Sequence, residues 1–95
     1  MKKYELLYIL RPDLEEDARK KVVESLSDLL TKNGAKVNKT EEWGLKQLAY
    51  EIKKFTKGYY VLVKFEAEKA ALDEFDRMTK INQNVLRFLI TVDYQ

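Results

Sequence analysis

Residues 4 to 10 (Tyr-Glu-Leu-Leu-Tyr-Ile-Leu) form an apolar and aromatic run that Pro12 closes, the pattern of a strand. Leu14, Ala18, Val22, Leu26, Leu29 and Leu30 follow at spacings of three and four, which predicts an amphipathic helix. Asp13 offers an N-cap oxygen with Glu16 three positions on, as in a capping box, and Gly34 after Asn33 is a left-handed stop. From Ala35 to Ile52 the pattern turns to alternation, with Val37 and Trp43 among polar residues and then Leu48, Tyr50 and Ile52 spaced by two. That is a long, partly solvated strand, bent or bulged at Gly44. Lys53 to Gly58 reads as a turn and Tyr59 to Phe65 as a strand. Residues 67 to 80 carry Ala71, Leu72, Phe75 and Met78 at helical spacing without a clear capping residue. Asn82 to Asn84 break that helix, and Val85 to Val92 alternate as a final strand.

The order βαββαβ predicts an α+β fold of the ferredoxin-like kind. Right-handed crossovers then place both helices on one face of a four-stranded antiparallel sheet, with the first and third strands central. No repeat, linker or low-complexity tract interrupts the chain, so residues 1 to 95 are expected to form a single domain.

Side chains alternate along a strand, so the wholly apolar set in each should face the helices. Those sets are Tyr4, Leu6, Tyr8 and Leu10; Tyr59, Val61, Val63 and Phe65; and Leu86, Phe88, Ile90 and Val92. The opposite sets are mixed: Glu5, Leu7, Ile9 and Arg11; Tyr60, Leu62, Lys64 and Glu66; Val85, Arg87, Leu89 and Asp93. A chain of 95 residues has no third layer to cover Leu7, Ile9, Tyr60, Leu62 and Leu89. An apolar patch ringed by charge is expected on the open face, as at interaction surfaces.

Composition narrows the chemistry. The chain has no cysteine and no histidine, which removes a disulfide framework, a thiolate zinc site, a cysteine nucleophile and an imidazole base; no cofactor or metal is expected. The serines, Ser25 and Ser27, fall within the first helix. The same element order serves acylphosphatases, in which a loop after the first strand holds phosphate. Here that loop, residues 11 to 16, has no glycine and three carboxylates that would repel an anion, so no enzyme is expected. The pairs Glu15-Glu16 and Glu41-Glu42 read as solvated surface. Lys2 and Lys3 precede too short an apolar stretch for a signal peptide, and no run approaches a membrane span, so a cytoplasmic protein without membrane contact is expected.

Charge brings nucleic acid forward. Eighteen basic against sixteen acidic residues give a net charge of only +2, yet residues 46 to 64 hold Lys46, Lys53, Lys54, Lys57 and Lys64 against Glu51 alone. Lys80 and Arg87 flank the turn into the last strand and could reach the same phosphate backbone. Residues 57 to 64 are similar to the third-strand motif of RNA recognition motif domains. They carry Tyr60, Val61 and Lys64 where that motif wants a small residue and two aromatics, so its base-stacking platform is missing.

At Tyr4-Glu5, residues 8 to 12, Asn33-Gly34-Ala35, residues 43 to 52 (Trp-Gly-Leu-Lys-Gln-Leu-Ala-Tyr-Glu-Ile), residues 74 to 77 and residues 80 to 87 (Lys-Ile-Asn-Gln-Asn-Val-Leu-Arg), the chain resembles the bacterial small-subunit ribosomal protein S6 family. The resemblance runs the full length in register. It implies a structural ribosomal protein that binds the central domain of small-subunit ribosomal RNA together with ribosomal protein S18, without catalysis. By position it implies Lys46, Asn84 and Arg87 as RNA contacts, with Lys80 beside them and Lys54 in the same basic hairpin. Gln47 stands where the family usually has a second basic residue, which removes one charge and puts one phosphate contact in doubt. The extended acidic tail of some members is not matched. Trp43, Tyr50, Tyr60 and Leu62 are the candidates for protein contact, through the open face and the edge of the long second strand. The rival reading of the same features is a protein-interaction or regulatory module that pairs with a second copy of itself.

Overall fold

The first strand, β1 (Lys2–Leu10), lies at the centre of the sheet because both of its edges are paired, to β3 (Phe55–Ala67) on one side and to β4 (Val85–Val92) on the other. The remaining strand, β2 (Lys36–Ile52), pairs with the far edge of β3, so the order is β2-β3-β1-β4 and every pairing is antiparallel. Helix α1 (Glu16–Lys32) follows β1, and α2 (Lys69–Lys80) precedes β4. This computed structural model describes residues 1–93; Tyr94 and Gln95, the end of the expected domain, lie outside the described residues.

One sheet face carries the main core. Tyr4, Leu6, Tyr8 and Leu10 of β1 and Val61, Val63 and Phe65 of β3 are buried against Val22, Leu26 and Leu30 of α1 and Ala71 and Phe75 of α2. These are the apolar sets that alternation assigns to the helix side. Phe75 meets Phe88 of β4 edge to face with ring centroids 5.9 Å apart, which ties α2 to the sheet. Thr79 completes the buried stripe of α2 one turn beyond Phe75, whereas Met78, expected inside, is exposed at its margin.

The ends of α1 divide the capping expectations. Its C-terminus closes as a Schellman motif: the Gly34 amide donates to the Thr31 carbonyl and the Ala35 amide to the Leu30 carbonyl, with Gly34 at φ +89°. The capping box at its N-terminus does not form. Arg11 donates to both carboxylate oxygens of Asp13, at 3.1 and 2.9 Å, and the N-cap position falls to Glu15, which makes no side-chain cap hydrogen bond.

Register slips in two of the ladders reshape the open face. The β1–β4 ladder shifts between Ile9 and Leu10, so that Leu10 faces Val85 and Ile9 faces Arg87 with Leu86 extra. The bulge turns Val85 into the main core and Leu86 onto the open face, the reverse of the alternation reading. Val92, expected in the core, is 42% exposed at the strand end. In the β2–β3 ladder the register shifts between Val37 and Lys39, at Gly44 (φ +88°), as the sequence suggests, and again between Gln47 and Ile52. At this last break four residues of β2, Leu48 to Glu51, stand against Thr56 alone on β3.

The slipped arm of β2 covers part of the patch that sequence alone leaves bare. Leu48 packs with Ile9 and Leu86 into a second small core, flanked by Ile52, Phe55 and Tyr60. Ile9 is therefore buried by its own chain, Leu7, Tyr60 and Leu62 are half-buried, and Leu89 remains 59% exposed. Gly58, placed by sequence in the turn, is instead a buried β3 residue. A Cβ there would stand 2.2 Å from Cγ2 of Ile9 and 3.3 Å from Leu48. The turn itself is only Lys53 and Lys54, between the paired Ile52 and Phe55.

Candidate nucleic-acid interface

Lys46 and Arg87 come from the two edge strands and share the open face. Lys46 pairs with Gly58, which has the parity of Tyr60 and Leu62, and Arg87 pairs with Ile9. Each cation rests on an aromatic ring of the β2 arm. The Lys46 ammonium is 5.3 Å from the Trp43 ring centroid, and the Arg87 guanidinium carbon is 5.8 Å from that of Tyr50. Such contacts hold a long cationic side chain above an apolar surface while its donors remain available to a ligand. Candidate protein contacts and candidate RNA contacts are thus interleaved: Trp43 and Tyr50 are exposed beside the two basic residues, with Tyr60 and Leu62 half-buried on the same face.

Arg87 also borders a groove of about 480 Å³ along β4 and the C-terminal end of α2. Lys80, the last residue of α2, lines it and is held by Asp76 one turn earlier, Nζ to Oδ2 at 2.8 Å. Lys53, from the β2–β3 turn, lines it from a third direction. In the sequence Lys53 stands among the basic residues of the hairpin with no signal that points to a site. Its neighbour Lys54 is exposed in the same turn. Asn84 stands apart from the other candidates in what it does. Its carbonyl accepts the Arg11 amide and its amide donates to Oδ1 of Asn82, both at 3.0 Å, so it joins the start of β4 to the end of β1 through the backbone.

The helix-facing side holds a second polar group. The Tyr59 hydroxyl donates to Glu42 Oε1 at 3.0 Å, and Arg19 of α1 lies over the Tyr59 ring at 4.2 Å. Burial pushes the Tyr59 hydroxyl pKa up, and the hydrogen bond to Glu42 adds to the shift. The neighbouring Tyr8 hydroxyl, fully buried with no hydrogen-bond partner among the described residues, is raised further by desolvation and by the Glu42 charge. Among the described residues, no group of three or more acidic side chains is arranged to hold a metal ion.

Known proteins match this chain over nearly its whole length. The family model for ribosomal protein S6 covers residues 3–91. Small ribosomal subunit protein bS6 of Halalkalibacterium halodurans is 52% identical over 93 residues, 98% of each chain. Its counterpart in Shouchella clausii is 50% identical over 95 residues, all of both chains. In three dimensions the chain is similar to the crystal structure of 30S ribosomal protein S6 from Thermotoga maritima, with a TM-score of 0.93 at 26% identity, covering 98% of this chain and 88% of that one. Sequence and architecture converge, and the chain belongs to the ribosomal protein S6 family.

Proposed function

We propose that this small-subunit ribosomal protein, which works in the cytoplasmic ribosome, binds the central domain of small-subunit ribosomal RNA as one half of a heterodimer with ribosomal protein S18 and acts as a structural component without catalysis. The observation that carries the reading is the placement of Lys46 and Arg87 on one sheet face, each seated on an exposed aromatic ring. Cations so placed suit phosphate oxygens, and the rings and the remaining apolar patch beside them suit a protein partner. Lys46, Lys54, Lys80 and Arg87 are the phosphate contacts in this reading, and Asn84 holds the strand that carries Arg87. Trp43, Tyr50, Tyr60 and Leu62 contact the partner. A net charge of +2 is small for a protein that grips a polyanion alone, so a basic partner that shares the neutralisation fits the composition.

The test is reconstitution from the chain, S18 and an RNA three-way junction, with each component omitted in turn. The expected result is tight binding only when both proteins are present, with affinity that falls steeply as salt rises. A stable self-dimer of this chain that ignores both RNA and S18 would overturn the reading in favour of a self-associating module.

A further inference from the structure

Lys53 and Lys54 occupy two consecutive left-handed positions, at φ 49° and 70°, between the paired residues Ile52 and Phe55. This is the backbone of a two-residue hairpin turn that Asn and Gly adopt with little strain and that a lysine Cβ resists. Strained positions occupied by the wrong residue type for the turn point toward a use for the side chain. The use is visible in where Lys53 lies. With Lys80 of α2 and Arg87 of β4 it lines the groove of about 480 Å³, so three cations from three separate elements meet a single carboxylate, Asp76. The slip of four β2 residues against Thr56 gives the arm the extra length to bend across the sheet, and the Tyr50 ring against Arg87 marks the same crossing independently. Residue β4 positions in the groove lie on an edge strand, whose outer backbone amides add further donors for an anion.

We propose that Lys53 is a phosphate-binding residue that, with Lys80 and Arg87, holds the sugar-phosphate backbone of an RNA strand in the groove along the outer edge of β4. The proposal rests on the reading that this chain binds ribosomal RNA, and it adds to that reading both a residue and a path for the strand. The excess of positive charge selects RNA over an apolar or basic protein segment. Lys53→Asn tolerates the left-handed backbone and removes the charge, whereas Lys53→Arg keeps the charge; Lys21→Ala, on exposed α1, removes one lysine remote from the groove.

Each variant is assembled with S18 on the RNA junction and titrated with salt. Lys53→Asn is expected to lower the slope of log K against log salt by about 0.7 to 0.9, the release of one phosphate's counterions, with a thermal midpoint equal to or above the parent's. Lys53→Arg and Lys21→Ala should keep the parent slope. An unchanged slope in Lys53→Asn overturns the proposal. So does a loss of S18 binding by that variant in the absence of RNA, which would assign the groove to the partner protein. A parent complex that does not bind RNA overturns the underlying reading as well, and that result is distinct because it precedes any substitution.

Discussion

The Arg87 guanidinium lies over the ring of Tyr50, its central carbon 5.8 Å from the ring centroid, although the two residues belong to opposite edge strands of the sheet. The contact exists because β2 gains four residues against one of β3 and bends over the end of β1. Edge strands that would otherwise be separated by two others are joined by a cation and an aromatic ring. The consequence is a basic side chain held in place before any ligand arrives, which reduces the ordering cost of binding.

Arg87→Ala and Lys46→Ala should each weaken RNA binding by the S18 complex and reduce its salt slope by about 0.7 to 0.9, since each removes one counterion-releasing contact. Tyr50→Ala should act differently. It leaves the charge in place and removes the ring beneath Arg87 together with a proposed partner contact, so affinity should fall by at least about 0.5 to 1 kcal/mol with the slope retained. Salt titrations of all three variants separate charge from positioning; parent behaviour in both charge variants would remove Lys46 and Arg87 from the interface.

The reach of sequence into this fold stops where register begins. The apolar sets of β1 and β3 could be read because every second residue is apolar and both strands stay in register with each other from Lys2 to Leu10. Val85 and Leu86 could not, since both are apolar and only the slip beside Ile9 decides which of them enters the core. Gly58 is ambiguous in sequence for a related reason: glycine serves turns and close packing alike, and here it makes room for Ile9. Two lysines are poor turn formers, so the true turn carried no signal. Lys80 and Arg87 were legible as neighbours because they flank a short connection, whereas Lys53 reaches their groove only through the irregular arm of β2.

Gly58→Ala tests that close approach. The new methyl would meet Cγ2 of Ile9 at 2.2 Å, and the branched Ile9 side chain has little rotamer freedom with which to give way. Urea unfolding should show a loss of about 1 to 3 kcal/mol. Ile9→Ala alone should cost about 2 to 5 kcal/mol. The double variant should be more stable than the sum of the two losses predicts, because the alanine methyl occupies space that Ile9 vacates. Strict additivity would mean that the two side chains do not compete for one site.

Lys54→Gly tests the strain in the turn. Removing the Cβ at φ 70° should raise stability by about 1 kcal/mol in the same measurement, the left-handed penalty less the added chain entropy of glycine.

Two tyrosines, Tyr8 in the core and the half-buried Tyr59, make the fold sensitive to alkaline pH. Tyr8 and Tyr59 both hold their protons to higher pH when folded than when unfolded, Tyr8 chiefly by desolvation and Tyr59 by desolvation with the Glu42 hydrogen bond. Above the unfolded tyrosine pKa of about 10 the unfolded state therefore binds fewer protons than the native state. Stability is fully present below that pH and declines as pH rises, by at most about 1.4 kcal/mol per pH unit for the fully buried Tyr8 and by less for the more exposed Tyr59, whose charge solvent screens. Tyr8→Phe should flatten the decline. At pH 7 it should be neutral or stabilising by up to about 1 kcal/mol, because the hydroxyl it removes has no hydrogen-bond partner among the described residues. Thermal melts from pH 7 to alkaline pH read both effects, and an unaltered alkaline decline in Tyr8→Phe would exclude that hydroxyl as its source.

Among the described residues Asp76 is the one carboxylate lining the basic groove, and its two roles oppose each other. It holds Lys80 at 2.8 Å, which fixes the ammonium, and it places a negative charge where a phosphate would lie. Both partners are exposed, so the pair itself contributes at most about 1 kcal/mol to stability. Asp76 also lies in the second half of α2, where the helix dipole disfavours an acid. Asp76→Asn should therefore leave stability nearly unchanged. Its effect on RNA binding depends on repulsion against preorganisation. A charge about 7 Å from a phosphate in water is worth about 0.6 kcal/mol, and more where the groove excludes solvent. Confining one lysine side chain costs a similar amount, but a phosphate can supply that confinement in place of Asp76. Repulsion should win, and Asp76→Asn should tighten RNA binding about two- to fivefold at low salt, with the gain shrinking as salt screens it. Weaker binding at every salt concentration would reverse the balance and make Asp76 the residue that positions Lys80.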